Sequence, residues 1–201
     1  NAFHKVSSVG DMSNRNWLKK TLSDRWHTEL IPATQEQISE LERNAEFYSG
    51  VLQKQYLPCY PKLEISDKRE GLDLQPRKFY MLSLGANQGY REWPVDYYAE
   101  IAKLIYKKTG WRGLICGTEQ ERYLGEQLQN ICDAPIKNYT GRTTLSELAW
   151  LLKKSQILIS NETGTAHISS AVGTSTVCIL GGGHFGRFVP YPDLPGQTNK
   201  I

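Results

Sequence analysis

The sequence predicts an α/β fold, a parallel sheet with helices on both faces, and three observations carry that reading. From residue 79 onward, five short apolar or β-branched segments recur, each bounded by glycine or polar residues. Four segments with helical spacing lie between them. Strands alternating with helices assemble as a parallel sheet that the helices cover.

The expected strands are Phe79 to Leu84, Gly113 to Cys116, Ile136 to Tyr139, Ile157 to Ser160 and Thr176 to Leu180. The first expected helix is Val95 to Thr109, with Tyr98, Ile101, Ala102 and Ile105 on one face, and Gly110 as its stop. The second runs from Glu119 to Cys132 on Leu124, Leu128 and Ile131. A third spans Thr144 to Lys154, where Thr144 and Glu147 form a capping box. The fourth covers Thr165 to Val172 and stops at Gly173. This half of the chain reads as a Rossmann-like domain.

Residues 1–76 follow another pattern. A short strand is expected at Lys5 to Val9, then a polar, Trp-containing stretch, then a helix from Thr34 capped with Gln37. Ile38, Leu41, Ala45, Tyr48, Leu52 and Tyr56 make its apolar stripe. Lys62 to Ile65 suits a further strand, and the charged segment Asp67 to Arg77 suits a linker. The domain boundary is therefore placed between residues 1–76 and residues 77–201. A strand and a helix bury too little to stand alone, so the first segment reads as the tail of another domain.

Composition narrows the function classes. Twenty-four basic and 21 acidic residues give a net charge of +3 with no long run of one sign, which argues against a nucleic-acid groove. No stretch approaches the roughly 18 to 20 apolar residues of a membrane span, and no signal peptide opens the chain, so a cytoplasmic protein is expected. Cys59, Cys116, Cys132 and Cys178 are widely spaced and read as buried free thiols. The chain starts at Asn1 without methionine and ends in a polar tail, as a piece of a longer protein would.

Ligands of open parallel sheets bind beyond the carboxyl ends of the strands. All five expected strands end in glycine-containing loops: Gly85-Ala86-Asn87, Gly117-Thr118-Glu119, Thr140-Gly141-Arg142, Asn161-Glu162-Thr163-Gly164 and Gly181-Gly182-Gly183. Tight turns alone account for any one glycine. The five together, with Thr, Asn, Glu and Arg beside them, point to a polar ligand along the sheet edge. In the fourth loop, Glu162-Thr163-Gly164-Thr165-Ala166-His167 leads straight into a helix, whose free N–H groups and positive dipole end suit a phosphate. His167, about one turn in, is placed to donate to a phosphate oxygen, and Arg91 supplies the cation.

Gly181-Gly182-Gly183-His184-Phe185-Gly186 matches a dinucleotide-binding pattern, but Arg187 to Pro192 forbid the helix that motif requires. Scattered histidines, without H-E-x-x-H or a cysteine pair, exclude the familiar metal hydrolases, and no G-x-S-x-G or Walker loop is present.

In this order, Ser83-Leu84-Gly85-Ala86, Arg91-Glu92-Trp93-Pro94, Cys116-Gly117-Thr118-Glu119, Tyr139 to Leu148 and Ser160 to His167 resemble the ADP-heptose:lipopolysaccharide heptosyltransferases, glycosyltransferase family nine. The resemblance covers residues 79 to 190, and Phe188-Val189-Pro190 fits it too. Residues 35 to 65, with Glu42-Arg43-Asn44, resemble the end of the family's N-terminal domain.

The resemblance implies the C-terminal half of a GT-B fold. It also implies inverting, metal-independent transfer of a sugar, a heptose above all, from a nucleotide diphosphate such as ADP-heptose to a glycan or lipid-linked acceptor in lipopolysaccharide core synthesis. No cofactor, nucleic acid or transmembrane segment enters that scheme, which allows peripheral contact at the inner face of the cytoplasmic membrane. It places Ala86 and Asn87 on phosphate, Glu119 on ribose, Thr143 in the base pocket, and Glu162, Thr163 and Gly164 on diphosphate and sugar. Arg91 and His167 stabilise the leaving group.

The family commonly has Lys where Arg91 stands and Asp where Glu162 stands. Its catalytic base is an Asp of the N-terminal domain, outside these residues. A nucleotide-binding or regulatory module without catalysis is the alternative reading.

Overall fold

The computed structural model describes residues 3–10, 17–65, 78–196 and 201. The described residues fall into two compact units, those of Asn1–Tyr60 with His184–Thr198 and those of Pro61–Gly183 with Asn199–Ile201. The segment expected as a linker, and the boundary placed at its end, lie outside the described residues.

In the second of these units, five strands form one parallel sheet: β3 (Phe79–Ser83), β4 (Arg112–Cys116), β5 (Ile136–Asn138), β6 (Ile157–Asn161) and β7 (Ser175–Ile179). The order across the sheet is β5-β4-β3-β6-β7. Every residue of β3 is buried, as a central strand covered on both faces requires, and so its sequence is an unbroken apolar run. Alternation still assigns the faces. Tyr80 and Leu82 pack with Tyr98, Ala102, Ile115 and Leu128. Phe79 and Met81 pack with Leu114, Leu151, Leu152 and Leu158 on the other side.

The helices are α3 (Val95–Thr109), α4 (Arg122–Ile131), α5 (Leu145–Lys154) and α6 (Gly164–Ala171). α3 ends where expected, with Gly110 in the left-handed conformation at φ 70°. α5 begins at the expected capping box, in which the Glu147 N–H donates to Thr144 Oγ at 3.3 Å and the Thr144 N–H donates to Glu147 Oε2 at 2.7 Å. The helix expected from Glu119 opens instead as a 3-10 turn over Glu119–Glu121, because a second capping box, Thr118 with Glu121, holds that start. β7 leads into turns rather than a helix, consistent with rejecting the dinucleotide motif. Among the described residues, no helix is long and apolar enough to cross a membrane.

In the other unit, β1 (Val6–Ser8) pairs in parallel with β2 (Glu29–Ile31), and α1 (Trp17–Asp24) lies between them in sequence. Both α1 and β2 fall in the stretch read only as polar. The helix expected from Thr34 is α2 (Glu40–Leu52), and its cap is Ser39 with Glu42, not Thr34 with Gln37. Two overlapping cap patterns compete here. The Thr34 hydroxyl is taken by the Glu46 carboxylate, and the Gln37 amide donates to the Phe185 carbonyl at 3.0 Å. The stripe expected on this helix is also only partly inward: Ala45 is buried, whereas Tyr48, Leu52 and Tyr56 are exposed.

Residues 184–194 pack within this same unit. Arg187 donates to Glu40 at 2.7 Å, and the Tyr60 hydroxyl donates to the Pro192 carbonyl at 2.7 Å. The strand expected at Lys62 to Ile65 does not form. That segment is held by single bonds, such as Leu63 N–H to the Ala171 carbonyl at 2.8 Å. All four cysteines are free, but Cys59 is exposed rather than buried.

Candidate active site

The chain lays down β3, β4 and β5 toward one edge, then returns to place β6 and β7 on the opposite side of β3. The order reverses between β3 and β6. At that reversal the loops after the two strands diverge to opposite faces and leave a crevice, the usual ligand position in such sheets.

Asn161, at the end of β6, is fully buried and fastens the loop that follows β3 at both ends. Its amide donates to the Leu84 carbonyl at 2.5 Å, and its carbonyl oxygen accepts from the Trp93 N–H at 3.1 Å. Trp93 meets Tyr98 edge to face at 5.0 Å, and the Tyr98 hydroxyl donates to the Ser83 carbonyl at 3.2 Å. Between the anchors, Gly89–Arg91 form a 3-10 turn that carries Arg91 to Glu162 across the crevice. Arg91 Nη2 donates to Glu162 Oε2 at 2.7 Å, with side chains 21% and 9% exposed. Arg91 is therefore not a free cation; its charge is balanced by the carboxylate of the facing loop.

Thr163 is the N-cap of α6, but its side chain caps nothing and lies 3.4 Å from the Ser160 hydroxyl. The Ala166 N–H donates to the Thr163 carbonyl at 3.1 Å, so the N–H groups of Gly164 and Thr165 are those the α6 N-terminus keeps for another acceptor. Gly164 is exposed there, and the Thr165 hydroxyl accepts from Ser83 at 3.5 Å.

Burial holds the His167 imidazole below its ordinary pKa of 6.5, with the Glu162 carboxylate pulling it partly back. At pH 7 His167 is neutral. The same carboxylate, added to burial, pushes the Cys178 thiol up to about 12 and leaves it unreactive.

A pH dependence follows. The folded chain resists protonating His167, so the unfolded chain binds more protons once pH falls below 6.5. The stability carried by neutral His167 is complete above that value and is lost as pH falls through it. Thermal melts of wild type should decline as pH falls below 6.5, and His167→Gln should flatten that decline. A decline of unchanged steepness in the variant would assign the effect to other groups.

Ala86 lies half-buried beside Glu92, and Asn87 is exposed at the tip of the same loop. Glu119 and Thr143 sit elsewhere, at the carboxyl ends of β4 and β5. Glu119 is 62% exposed and accepts two bonds from Arg122, which hold its carboxyl below the ordinary range. Thr143 is half-buried, one residue before the α5 cap. The structure therefore brings Arg91, Glu162, Thr163, Gly164 and His167 together at the crevice, and groups Glu119 with Arg122 and Gly141 on neighbouring loops.

Glu121 was not singled out from the sequence, yet it lies against two of the glycine loops. A Cβ on Gly85 would sit 1.9 Å from Glu121 Oε1, and one on Gly117 would sit 2.5 Å from Oε2. Those loops are glycine because this carboxylate fills the space. The T-x-x-E spacing of Thr118 and Glu121 was the available signal. Among the described residues, no three His, Cys, Asp or Glu side chains gather as a metal site would need.

The sequence profile of glycosyltransferase family 9 (heptosyltransferase) matches residues 4–198. The chain is 26% identical over 120 residues to the lipopolysaccharide core heptosyltransferase OpsX of Haemophilus influenzae, covering 59% of this chain and 34% of that protein. With lipopolysaccharide heptosyltransferase 2 of Salmonella typhimurium it shares 23% identity over 133 residues, 61% of this chain and 38% of that one. The chain thus spans little more than a third of the length of these relatives.

Among solved structures, E. coli ADP-heptose lps heptosyltransferase II is similar at a TM-score of 0.69 and 15% identity, over 88% of this chain and 56% of that one. A glycosyl transferase family 9 structure from Veillonella parvula is similar at a TM-score of 0.62 and 17% identity, over 78% and 47%. At these identities the likeness is one of fold, and it agrees with the expected half of a GT-B architecture.

Proposed function

Because the chain belongs to glycosyltransferase family 9 (heptosyltransferase), we propose that it is the donor-binding part of an enzyme that transfers a sugar, a heptose above all, from a nucleotide diphosphate to a glycan or lipid-linked acceptor. The observation that carries this reading is the crevice between β3 and β6, where an open helix N-terminus, a neutral histidine and the Arg91–Glu162 pair face one another. Displacing a nucleoside diphosphate builds negative charge on its β-phosphate. N–H groups of α6, the His167 N–H and the Arg91 guanidinium are the donors that would stabilise that charge without a metal. Ala86 and Asn87 border the same phosphate position, and Thr163 and Gly164 supply its helix end. Glu119 and Thr143, at the neighbouring strand ends, suit the ribose and the base.

On this reading the first 76 residues are the tail of the acceptor-side domain. The catalytic base is held by the remainder of that domain, because Glu162 and His167 both face the donor's leaving group. Binding and transfer should therefore separate. Calorimetry is expected to show ADP or UDP binding to the 201-residue chain, unchanged by EDTA, while labelled nucleotide sugars with a panel of acceptors give no product. A parent protein of full family length should give product with at least one donor. Loss of binding on chelation, restored by magnesium or manganese, would overturn the metal-free reading. Turnover by the isolated chain would place the base within these residues. A full-length parent that binds but never turns over would instead support the non-catalytic module.

A further inference from the structure

Beyond the crevice, a cavity of about 280 Å³ opens at the β5 edge of the sheet, lined by Arg122, Lys137, Tyr139 and Arg142, with Glu126 as its one acid. Three cations from three separate elements converge there: Arg122 opens α4, Lys137 lies on β5, and Arg142 follows it. Glu119 balances Arg122 directly and acts on Arg142 through space. Arg122 spends Nε and Nη2 on Glu119. Among the described residues, the side chains of Lys137 and Arg142 show neither a hydrogen bond nor an ion pair, although the Arg142 N–H donates to the Tyr139 carbonyl at 2.9 Å.

Three like charges around one concavity repel each other, and an anion seated between them reverses the sign of that interaction. The cavity is near the lower end of the range of about 300 to 1,000 Å³ for small-molecule sites, so it suits one compact ligand rather than a polymer. No aliphatic side chain lines it, and the phenol and carboxylate beside the cations match hydroxyl groups.

We propose that this cavity binds a sugar phosphate, with Lys137 and Arg142 holding the phosphate and Tyr139 and Glu126 facing the sugar. The proposal uses none of the crevice residues, but Arg122 pairs with Glu119 and Arg142 precedes Thr143, which the donor reading gives to ribose and base, so competition with ADP is needed to tell the two apart. The source proposed is a phosphorylated glycan, and competition with ADP separates it from the phosphate of the donor nucleotide.

The test is NMR titration of the whole chain with ribose 5-phosphate, with inorganic phosphate and with ribose. Ribose 5-phosphate should shift the amides of residues 137–142 saturably, inorganic phosphate should do so about tenfold more weakly, and ribose should not. The double variant Lys137→Ala with Arg142→Ala should lose about tenfold to a hundredfold in ribose 5-phosphate affinity, with ADP affinity changed less than about twofold. A phosphorylated glycan competing for these amides would support the acceptor source. Four results would overturn the proposal: no saturable shift, inorganic phosphate binding as tightly as ribose 5-phosphate, a double variant that keeps its affinity, or displacement of ribose 5-phosphate by ADP, which would make the cavity part of the donor pocket.

Discussion

Arg91→Ala is expected to weaken nucleoside-diphosphate binding by about a hundredfold, whereas Glu162→Gln is expected to tighten it. A charge-assisted hydrogen bond contributes roughly 1.5 to 3 kcal/mol, which is about tenfold to a hundredfold in affinity. The structure puts the arginine at the upper end of that range, because Arg91 Nη2 is paired at 2.7 Å with a carboxylate whose side chain is only 9% exposed. Removing the guanidinium leaves that carboxylate at the phosphate position, where it repels the ligand.

Breaking a fully buried pair from one side costs about 3 to 5 kcal/mol. Arg91 is 21% exposed, so solvent relieves part of that cost, and roughly 1 to 3 kcal/mol of stability is the discounted figure. Glu162→Gln acts in the opposite direction. It keeps the shape, removes the competing charge and leaves Arg91 free for the phosphate. Calorimetry with ADP and UDP on both variants measures the two signs. Equal weakening by both would mean that the pair recognises the ligand as a unit and that no competition exists between Glu162 and phosphate.

That contrast could not be read from the sequence, and the reason is physical. Residue types and loop positions were legible: Arg91 and Glu162 both stand at glycine-bearing strand ends, and Gly164 to His167 open a helix directly after a strand. Their pairing joins positions 71 residues apart. It depends on β3 and β6 being neighbours in the sheet, which no local pattern encodes. Periodicity located the long elements for a related reason. Phe79 to Ser83 is buried on both faces and reads as a continuous apolar run, and Val95 to Thr109 is bracketed by Pro94 and Gly110.

α1 escaped notice because its apolar side chains face outward. Trp17, Leu18 and Leu22 are exposed while Lys20 and Asp24 pair at 2.7 Å on a less exposed side. Its partner β2 has only three residues, too few for an alternation to show. The α2 cap was misplaced because Thr34-Gln37 and Ser39-Glu42 both satisfy the capping pattern. A carboxylate accepts more strongly from a backbone N–H than an amide does, and Ser39 N–H indeed donates to Glu42 at 2.9 Å.

Asn161→Ala is expected to lower the melting temperature by about 4 to 16 °C and to abolish nucleotide binding together with it. The side chain is fully buried and serves as donor to the Leu84 carbonyl and acceptor from the Trp93 N–H. Alanine leaves both backbone groups without their partner. Each unsatisfied buried group costs roughly 1 to 3 kcal/mol, and about 2 to 4 kcal/mol in total is the expected destabilisation. For a chain of this size, each kcal/mol moves the midpoint by about 2 to 4 °C.

Binding should fail as well, because those two bonds hold the ends of the segment that presents Ala86, Asn87 and Arg91 to the crevice. A loop released at both ends must be ordered again by the ligand, and that ordering opposes affinity. Asn161→Asp separates the two bonds: it keeps an acceptor for Trp93 but turns a carboxylate toward the Leu84 carbonyl, and it should be at least as damaging as alanine. Circular-dichroism melts and ADP calorimetry on the two variants provide both readouts. A variant that melts early but binds ADP as wild type does would show that Asn161 supports the fold without positioning the loop, and the crevice would then owe its geometry to the Arg91–Glu162 pair alone.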